Sequence, residues 1–224
     1  MAEQAAGTLY ELMSTQRAIR RLRPDPIPGD VLERIMQAAV WAPSGGNLQP
    51  WRMVMVSDAA LRTRLGELYA RRWETFAAMY RKRIAAAPAD EQAKEERTIA
   101  AGDHLGRHFG ECPVIAVVCF NPDRMAVTDA GLDRVSVVGG GSVYPAVQNF
   151  LLACRAEGVG SVLTTLLCQD EAEVKALLQV PDDWYTAAAL PLGYPVGGGY
   201  GPIARRPVAD LFYRDAWRQP VAGE

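Results

Sequence analysis

Polar and apolar residues alternate with helical periodicity in the first fifth of the chain. Thr8 and Glu11 have the spacing of a capping box, which predicts a short helix that begins after Thr8. A proline-rich loop follows, and Asp30 is then predicted to cap a second helix that ends near Pro43. The apolar face of this helix recurs every four residues, at Val31, Ile35 and Ala39.

A longer helical pattern covers Asp58–Ala87 and resumes after a break at Pro88, ending near Gly110. Arginines occupy the faces that its apolar stripe leaves open, and the stripe consists of Leu61, Leu65, Leu68, Phe76 and Ile84. The segment at about 61–110 is therefore predicted to be a helical excursion from the rest of the chain. Its aromatic residues suit either a lid or packing between helices: Tyr69, Trp73, Phe76 and Tyr80.

Four apolar runs predict strands. The first run covers Trp51–Ser57 and is predicted to be a buried strand. The others cover Pro113–Phe120, the short run 159–165, and 185–195. A mostly apolar helix over 143–158 ends at a glycine, and another helix, which Asp170 is predicted to cap, stops at Pro181. Helices that separate the strands indicate an α+β or α/β fold with a small covered sheet, in one domain over 1–224.

Composition narrows the function. The net charge of −2 gives no general attraction to nucleic acid or an anionic membrane. No apolar run approaches the roughly 20 residues of a spanning helix, and the polar N-terminus does not read as a signal peptide. The four cysteines lack CxxC spacing. We therefore expect a cytoplasmic protein with reduced thiols and with neither nucleic-acid nor membrane partners.

Several common sites are not supported by the sequence. There is no dinucleotide fingerprint after a strand and no P-loop, and Ser44 does not fit the nucleophile-elbow pattern. His104 and His108 are four residues apart, as zinc ligands on a helix can be, but Leu105 stands where the catalytic glutamate of that motif would be. We therefore predict no metal site.

What remains is a set of anion binders and hydrogen-bonding loops. Arg17–Arg21 offers guanidinium forks that match phosphate oxygens, or it is a solvated basic turn. The stretch APSGGNLQPW combines glycines, which let the backbone approach a flat ligand, with polar side chains, or it is a plain helix-to-strand turn. Thr164–Thr165 and Arg205–Arg206 are further candidates, with a strand end and a surface pair as their alternatives.

Five stretches in order resemble the FMN-dependent nitroreductase family, which includes the flavin-dependent deiodinases. They are RAIRRLRPDPIP, AAVWAPSGGNLQPWRMVMV, VQNFLLACRAEGVGSVLTTL, LPLGYP and ARRPVADLF, and they span nearly the whole chain except 61–110 and the last few residues. The resemblance implies an α+β sandwich with a small central mixed sheet, in an intertwined homodimer that binds FMN at the subunit interface.

The resemblance also implies which residues bind FMN. Arg17, Ala18 and Arg20 would lie at the phosphate and ring edge, and Arg205 at the phosphate, although the family often has serine where Ala18 stands. The partner chain would supply Pro43, Ser44, Gly45 and Asn47. Thr164 and Thr165 would lie beside the reactive face of the flavin, near N5, as the catalytic positions.

The activity implied is an oxidoreductase in which NADH or NADPH reduces the flavin and then leaves. A nitroaromatic, quinone or activated alkene then takes the electrons in the same pocket, by a ping-pong mechanism. Two alternatives remain open at this point, reductive dehalogenation and a non-catalytic protein that stores or senses FMN.

Overall fold

The computed structural model describes residues 7–221, except for the side chains at 89–91 and 94. Residues 1–6, part of the stretch that does not read as a signal peptide, lie outside the described residues. Six α-helices are described in this part of the chain, with these bounds: α1 Leu9–Thr15, α2 Gly29–Val40, α3 Ala59–Ala85, α4 Ala89–His108, α5 Tyr144–Ala156 and α6 Glu171–Leu178. None of the described helices is long and apolar enough to cross a membrane.

Local chemistry accounts for three of the helix ends in the described residues. The Thr8 hydroxyl accepts a hydrogen bond from the Glu11 amide at 3.2 Å, as the capping box predicts. The Asp58 carboxylate accepts one from the Leu61 amide at 2.9 Å and so caps α3. At the far end of α5, Gly158 adopts a φ of 72°, a left-handed conformation that favours glycine.

Two predicted caps differ from the structure. Helix α2 begins two residues earlier than a cap at Asp30 predicts, and its N-cap is Pro28, so Asp30 lies inside the first turn. There its carboxylate accepts a hydrogen bond from Arg34 at 2.9 Å. Asp170 is at the N-cap of α6 but makes no capping hydrogen bond with its side chain, because its carboxylate is held by Arg71 and Arg72.

The sheet contains the strands β1 Trp51–Val56, β2 Val114–Phe120, β3 Gly160–Ser161 and β4 Tyr185–Gly193 in the order β1-β2-β4-β3. Central β2 pairs with β1 at Val54–Val117 and with β4 at Ala116–Leu190. All the described strand pairs are antiparallel, whereas the resemblance predicts a mixed sheet. The β1 strand is also less buried than expected, because it is an edge strand with only one neighbour.

The sheet separates two hydrophobic cores. Val114, Ala116 and Val118 point to one core, which includes buried side chains of α2 and α5. Ile115 and Val117 alternate with them and point to the other core, which includes side chains of α3. Helices cover both faces of an antiparallel sheet, so the predicted α+β class is confirmed.

Helices α3 and α4 form the hairpin that the sequence predicts as a helical excursion. The Trp73 ring lies against Gly102 and Gly106, and a Cβ atom added at Gly102 would collide with Trp73 Cη2. Trp73 Nε1 donates to Asp103 at 2.9 Å, and Arg81 donates to both oxygens of that carboxylate at 2.7 Å. In the structure, Trp73 thus packs between the two helices.

Candidate functional site

The basic segment at 17–21 runs along the edge of the sheet where β3 lies. The Ile19 amide donates to the Ser161 carbonyl at 3.0 Å, and the Val196 amide donates to the Arg21 carbonyl at 3.0 Å. Ile19 is 6% exposed and anchors the segment in the protein interior. Since the backbone is bonded on both sides, the arginine side chains around Ile19 are left to project from the edge.

These arginines line a cavity of about 470 Å³. The structure brings together three of the predicted cofactor-binding residues, Arg17, Ala18 and Arg20, at this cavity. The other lining residues are Ile19, Arg21, Arg97, Thr98, Ala101, Val196 and Gly199. We call this space the arginine cavity.

The arginine cavity has four guanidinium groups and no carboxylate among its lining residues. Within the described part of the chain, none of these four arginines forms an ion pair with a carboxylate. Guanidinium forks bind phosphate oxygens through two parallel hydrogen bonds. Small residues beside them, Ala18 and Gly199, leave room for such a group. The donor set therefore fits a phosphate-bearing ligand such as FMN.

Tyr69 interacts with Arg20, which lines this cavity, and with Thr164. Its side chain is 3% exposed and stacks on Phe109 with ring centroids 4.1 Å apart. Burial raises the pKa of its phenol, while a hydrogen bond with Thr164 and the positive charge of Arg20 act in the opposite direction. Arg20 and Thr164 thus both lie near one buried hydroxyl group, although Tyr69 is not among the residues that line the arginine cavity.

The two threonines face different surroundings. Thr164 exchanges backbone hydrogen bonds with Ala189, at 3.0 and 2.8 Å, which fixes it at the edge of the sheet. Thr165 lines a second cavity of about 350 Å³ whose other lining residues are Phe120, Met125, Gly140, Val143, Tyr144, Cys168, Thr186 and Ala187. Neither threonine is among the residues that line the arginine cavity.

The turn at 43–47 is built from tight backbone conformations. Gly46 has a φ of 56° and Asn47 a φ of 54°, and the Ser44 hydroxyl accepts a hydrogen bond from the Gln49 amide at 3.0 Å. The Gly45 amide donates to the Ser142 hydroxyl at 3.0 Å. Within one chain the turn therefore lies against the 139–142 turn. The residues that line the arginine cavity do not include Pro43, Ser44, Gly45 or Asn47.

Arg205 also lies outside the set of cavity-lining residues. Its guanidinium donates to the carbonyl of Ala204 at 2.8 Å, and its side chain is exposed. Its predicted contact with a phosphate stays a prediction. In the described residues there is no cluster of three or more His, Cys, Asp or Glu side chains that could hold a metal ion.

Sequence reasoning did not identify Arg97, which lines the arginine cavity. Arg97, Thr98 and Ala101 lie on one face of α4, at spacings that a helix brings together. The sequence carries this spacing but gives no sign that the face meets the 17–21 segment, about 80 residues earlier. Tyr69 reads as one of the aromatic residues in the 61–110 segment, and only its neighbours Arg20 and Thr164 distinguish it.

Known proteins show clear similarity to this chain. The sequence model described as the Nitroreductase family matches residues 13–194. A relative named NADH dehydrogenase, from Thermus thermophilus, is 32% identical over 202 residues, which cover 86% of this chain and 89% of the relative. A 5,6-dimethylbenzimidazole synthase from Rhodobacter capsulatus is 32% identical over 200 residues, covering 88% of each chain.

A solved structure supports the fold. Oxidized iodotyrosine deiodinase bound to FMN and 3-iodo-L-tyrosine superposes with a TM-score of 0.67 at 24% identity, covering 94% of this chain and 100% of that chain. The predicted nitroreductase-like fold is thereby confirmed.

Proposed function

Because the chain belongs to the nitroreductase family, we propose that it is an FMN-dependent oxidoreductase that uses NADH or NADPH to reduce nitroaromatics, quinones or activated alkenes. The class of flavin oxidoreductase follows from the family itself. The donor, the acceptors and the order of the steps are the proposal. One observation carries it: the arginine cavity gathers four guanidinium groups with no carboxylate among its lining residues.

We assign the FMN phosphate to Arg17, Ala18 and Arg20. Arg17 and Arg20 offer charged donors, and the small side chain of Ala18 lets a phosphate approach the backbone of the segment. The buried Tyr69 hydroxyl group interacts with Thr164 through a hydrogen bond and with Arg20 through its charge. This proximity supports a ligand that extends from the arginines toward the threonine edge, and we propose that Thr164 and Thr165 lie beside its reactive ring.

When bound, FMN would supply the electron-transfer chemistry, taking two electrons from a reduced nicotinamide and passing them on to an acceptor. The protein's own residues bind and orient the partners. A single pocket used in turn by donor and acceptor suits a chain whose sequence lacks a dinucleotide-binding fingerprint. We therefore propose a ping-pong mechanism.

We also propose a homodimer of single-domain chains in which the turn of one protomer completes the FMN site of its partner. Large apolar side chains are exposed on α1, α2 and the turn, among them Tyr10 at 82%, Trp41 at 74% and Leu48 at 54%. Exposed apolar surface on this scale is typical of a protein interface. The turn lies between Trp41 and Leu48 in the chain, and we propose that a second chain meets it there through Pro43, Ser44, Gly45 and Asn47.

Two alternatives have support in the names of similar proteins or in the site. The deiodinase structure makes reductive dehalogenation the first, and halide release from a halogenated phenol would favour it. Storage or sensing of FMN is the second, because the arginine cavity explains binding without turnover. We propose the cytoplasm as the location, with a small-molecule acceptor and no nucleic-acid or membrane partner.

The visible spectrum of the purified protein tests the proposal. We expect a yellow protein that NADPH or NADH bleaches and a quinone recolours. Initial rates at several acceptor concentrations should give parallel double-reciprocal lines. Intersecting lines would exclude the single-pocket mechanism, and a yellow protein that neither nicotinamide bleaches would favour storage. A colourless preparation that does not take up FMN would contradict the proposed function.

A further inference from the structure

The arginine cavity carries more positive charge than one phosphate group requires. Arg17, Arg20, Arg21 and Arg97 line it together. A phosphate monoester carries a charge of about −1.5 to −2 near neutral pH, so two guanidinium groups suffice to neutralise it. Two positive charges then remain in a cleft of one sign, where they repel each other and attract anions from solution. The surplus indicates a second negative group.

The surplus charges lie on the side of the cavity formed by α4. Arg97 belongs to that helix, whereas the phosphate ligands Arg17 and Arg20 belong to the loop before α2. Arg21 also reaches toward α4, since its positive charge contributes to a lowered pKa at His104, after the larger effects of burial and of His108. Arg21 and Arg97 are therefore the two arginines whose charge the assigned FMN phosphate does not neutralise.

The position of Arg97 is set by the packing of α4 against α3. Gly102 and Gly106 make room for the Trp73 ring, and the Asp103 carboxylate is bonded by both Trp73 and Arg81. These contacts begin only five residues after Arg97 on the same helix. Arg97 thus projects from a braced element of the cavity wall and not from a surface loop.

We propose that Arg21 and Arg97 form a second anion-binding position, which recognises a phosphate or carboxylate group on the molecule that exchanges electrons with the flavin. This inference rests on the proposed function. The oxyanion has two possible sources, the 2′-phosphate of NADPH or a carboxylate on the electron acceptor. Either would be held by charge-assisted hydrogen bonds from the two guanidinium groups.

Binding to the FMN-loaded protein tests this directly, with no need for turnover. Two matched pairs of probes separate the sources: NADP⁺ against NAD⁺, and 4-nitrobenzoate against 4-nitrobenzyl alcohol, each titrated by calorimetry. Arg97→Ala should weaken at least one anionic probe about tenfold, the loss expected for one charged hydrogen bond, and leave its neutral or less charged counterpart within about twofold. Arg97→Lys should retain part of the preference.

Arg107→Ala is the matched control, because Arg107 is on the same helix but lines a different cavity, beside Trp73 and Glu74. It should change neither pair. Free FMN fluorescence after dilution reports whether the cofactor is still held, and Arg97→Ala should release no more FMN than the wild type. A loss confined to NADP⁺ would identify the nucleotide as the source, and a loss confined to 4-nitrobenzoate would identify the acceptor.

Two results would overturn the inference while the proposed function stands. One is FMN-loaded Arg97→Ala protein with wild-type affinity for all four probes. The other is weakened FMN retention with the preference for anions unchanged, which would place Arg97 in the FMN phosphate site. A wild-type protein that binds no FMN would instead refute the proposed function, and the inference with it.

Discussion

Two clusters of arginines in this protein differ in what neutralises them. On α3, Arg72 Nε lies 2.7 Å from Asp170 Oδ2, and Arg71 donates to Asp170 at 3.0 Å and to Glu173 at 2.8 Å. The Asp170 side chain is 2% exposed. In the arginine cavity the guanidinium groups have no such carboxylate among the lining residues.

The difference separates structural charge from binding charge. A carboxylate that is buried and paired holds two elements together, here α3 and the start of α6, and its arginines have little capacity left for a ligand. Guanidinium groups that gather without a counter-ion leave their donors available to an anion. Substitutions in the first cluster should therefore change stability, and substitutions in the second should change ligand binding.

The largest expected effect is on stability, from Asp170→Asn. The asparagine would leave two guanidinium groups without their buried counter-ion, which should lower the free energy of unfolding by about 3 kcal/mol, the low end for a broken buried pair because the arginines can still reach water. Urea unfolding measures this. Glu67→Gln, in the exposed pair with Arg64, is the control and should cost less than about 1 kcal/mol. Equal losses in the two variants would show that burial of Asp170 does not matter.

Acid should reveal the same pair in the unmodified protein. The hydrogen bond from Arg72 lowers the pKa of Asp170, burial opposes this, and Arg71 lowers it further. The contribution of Asp170 to stability is then complete above its unfolded pKa of about 3.9 and is lost as the pH falls through the lower folded value. Subtracting the unfolding curve of Asp170→Asn from that of the wild type should isolate this loss. A difference between the two proteins that stays constant with pH would contradict the assignment.

Substitutions in the arginine cavity should instead weaken FMN binding and leave stability unchanged. Arg17→Ala should weaken FMN binding about tenfold to a hundredfold, the effect of one charged hydrogen bond, with the unfolding of the FMN-free protein unchanged. Arg71→Ala should leave FMN affinity unchanged and lower stability. Titration of FMN into each apoprotein, followed by flavin fluorescence, measures the first quantity. If Arg71→Ala weakens FMN as much as Arg17→Ala does, the distinction between the clusters fails.

The smallest effect concerns the hairpin that positions Arg97. In Gly102→Ala the added methyl group would collide with Trp73, at a cost of about 1–3 kcal/mol, of which the better helix propensity of alanine offsets about 1. Thermal unfolding measures the net loss. Gly131→Ala is the control, because nothing lies within 4 Å of the added Cβ atom. An unchanged melting temperature for Gly102→Ala would mean that the Trp73 ring moves freely.

Local patterns in the sequence predict the helices, the main strands and the basic segment at 17–21. Capping at Thr8 and Asp58 depends on contacts within three residues, so it can be read from local pattern. The apolar run that predicts β2 is an equally local signal. The order of helices and strands indicates an α+β or α/β fold, and the family resemblance narrows this to α+β and supplies the cofactor expectation.

The roles of residues that interact with parts of the chain far away in sequence depend on the tertiary structure. Asp170 reads as a helix cap, but arginines about 100 residues earlier hold its carboxylate and leave none for the backbone. Arg97 reads as a solvated helix charge, yet the packing of Trp73 against Gly102 places that face of α4 in the wall of the arginine cavity. The physical reason is the same for both residues. Contacts between charged groups depend on which surfaces the packing of the core brings together. The periodicity of residues along the chain does not encode which distant surfaces will meet.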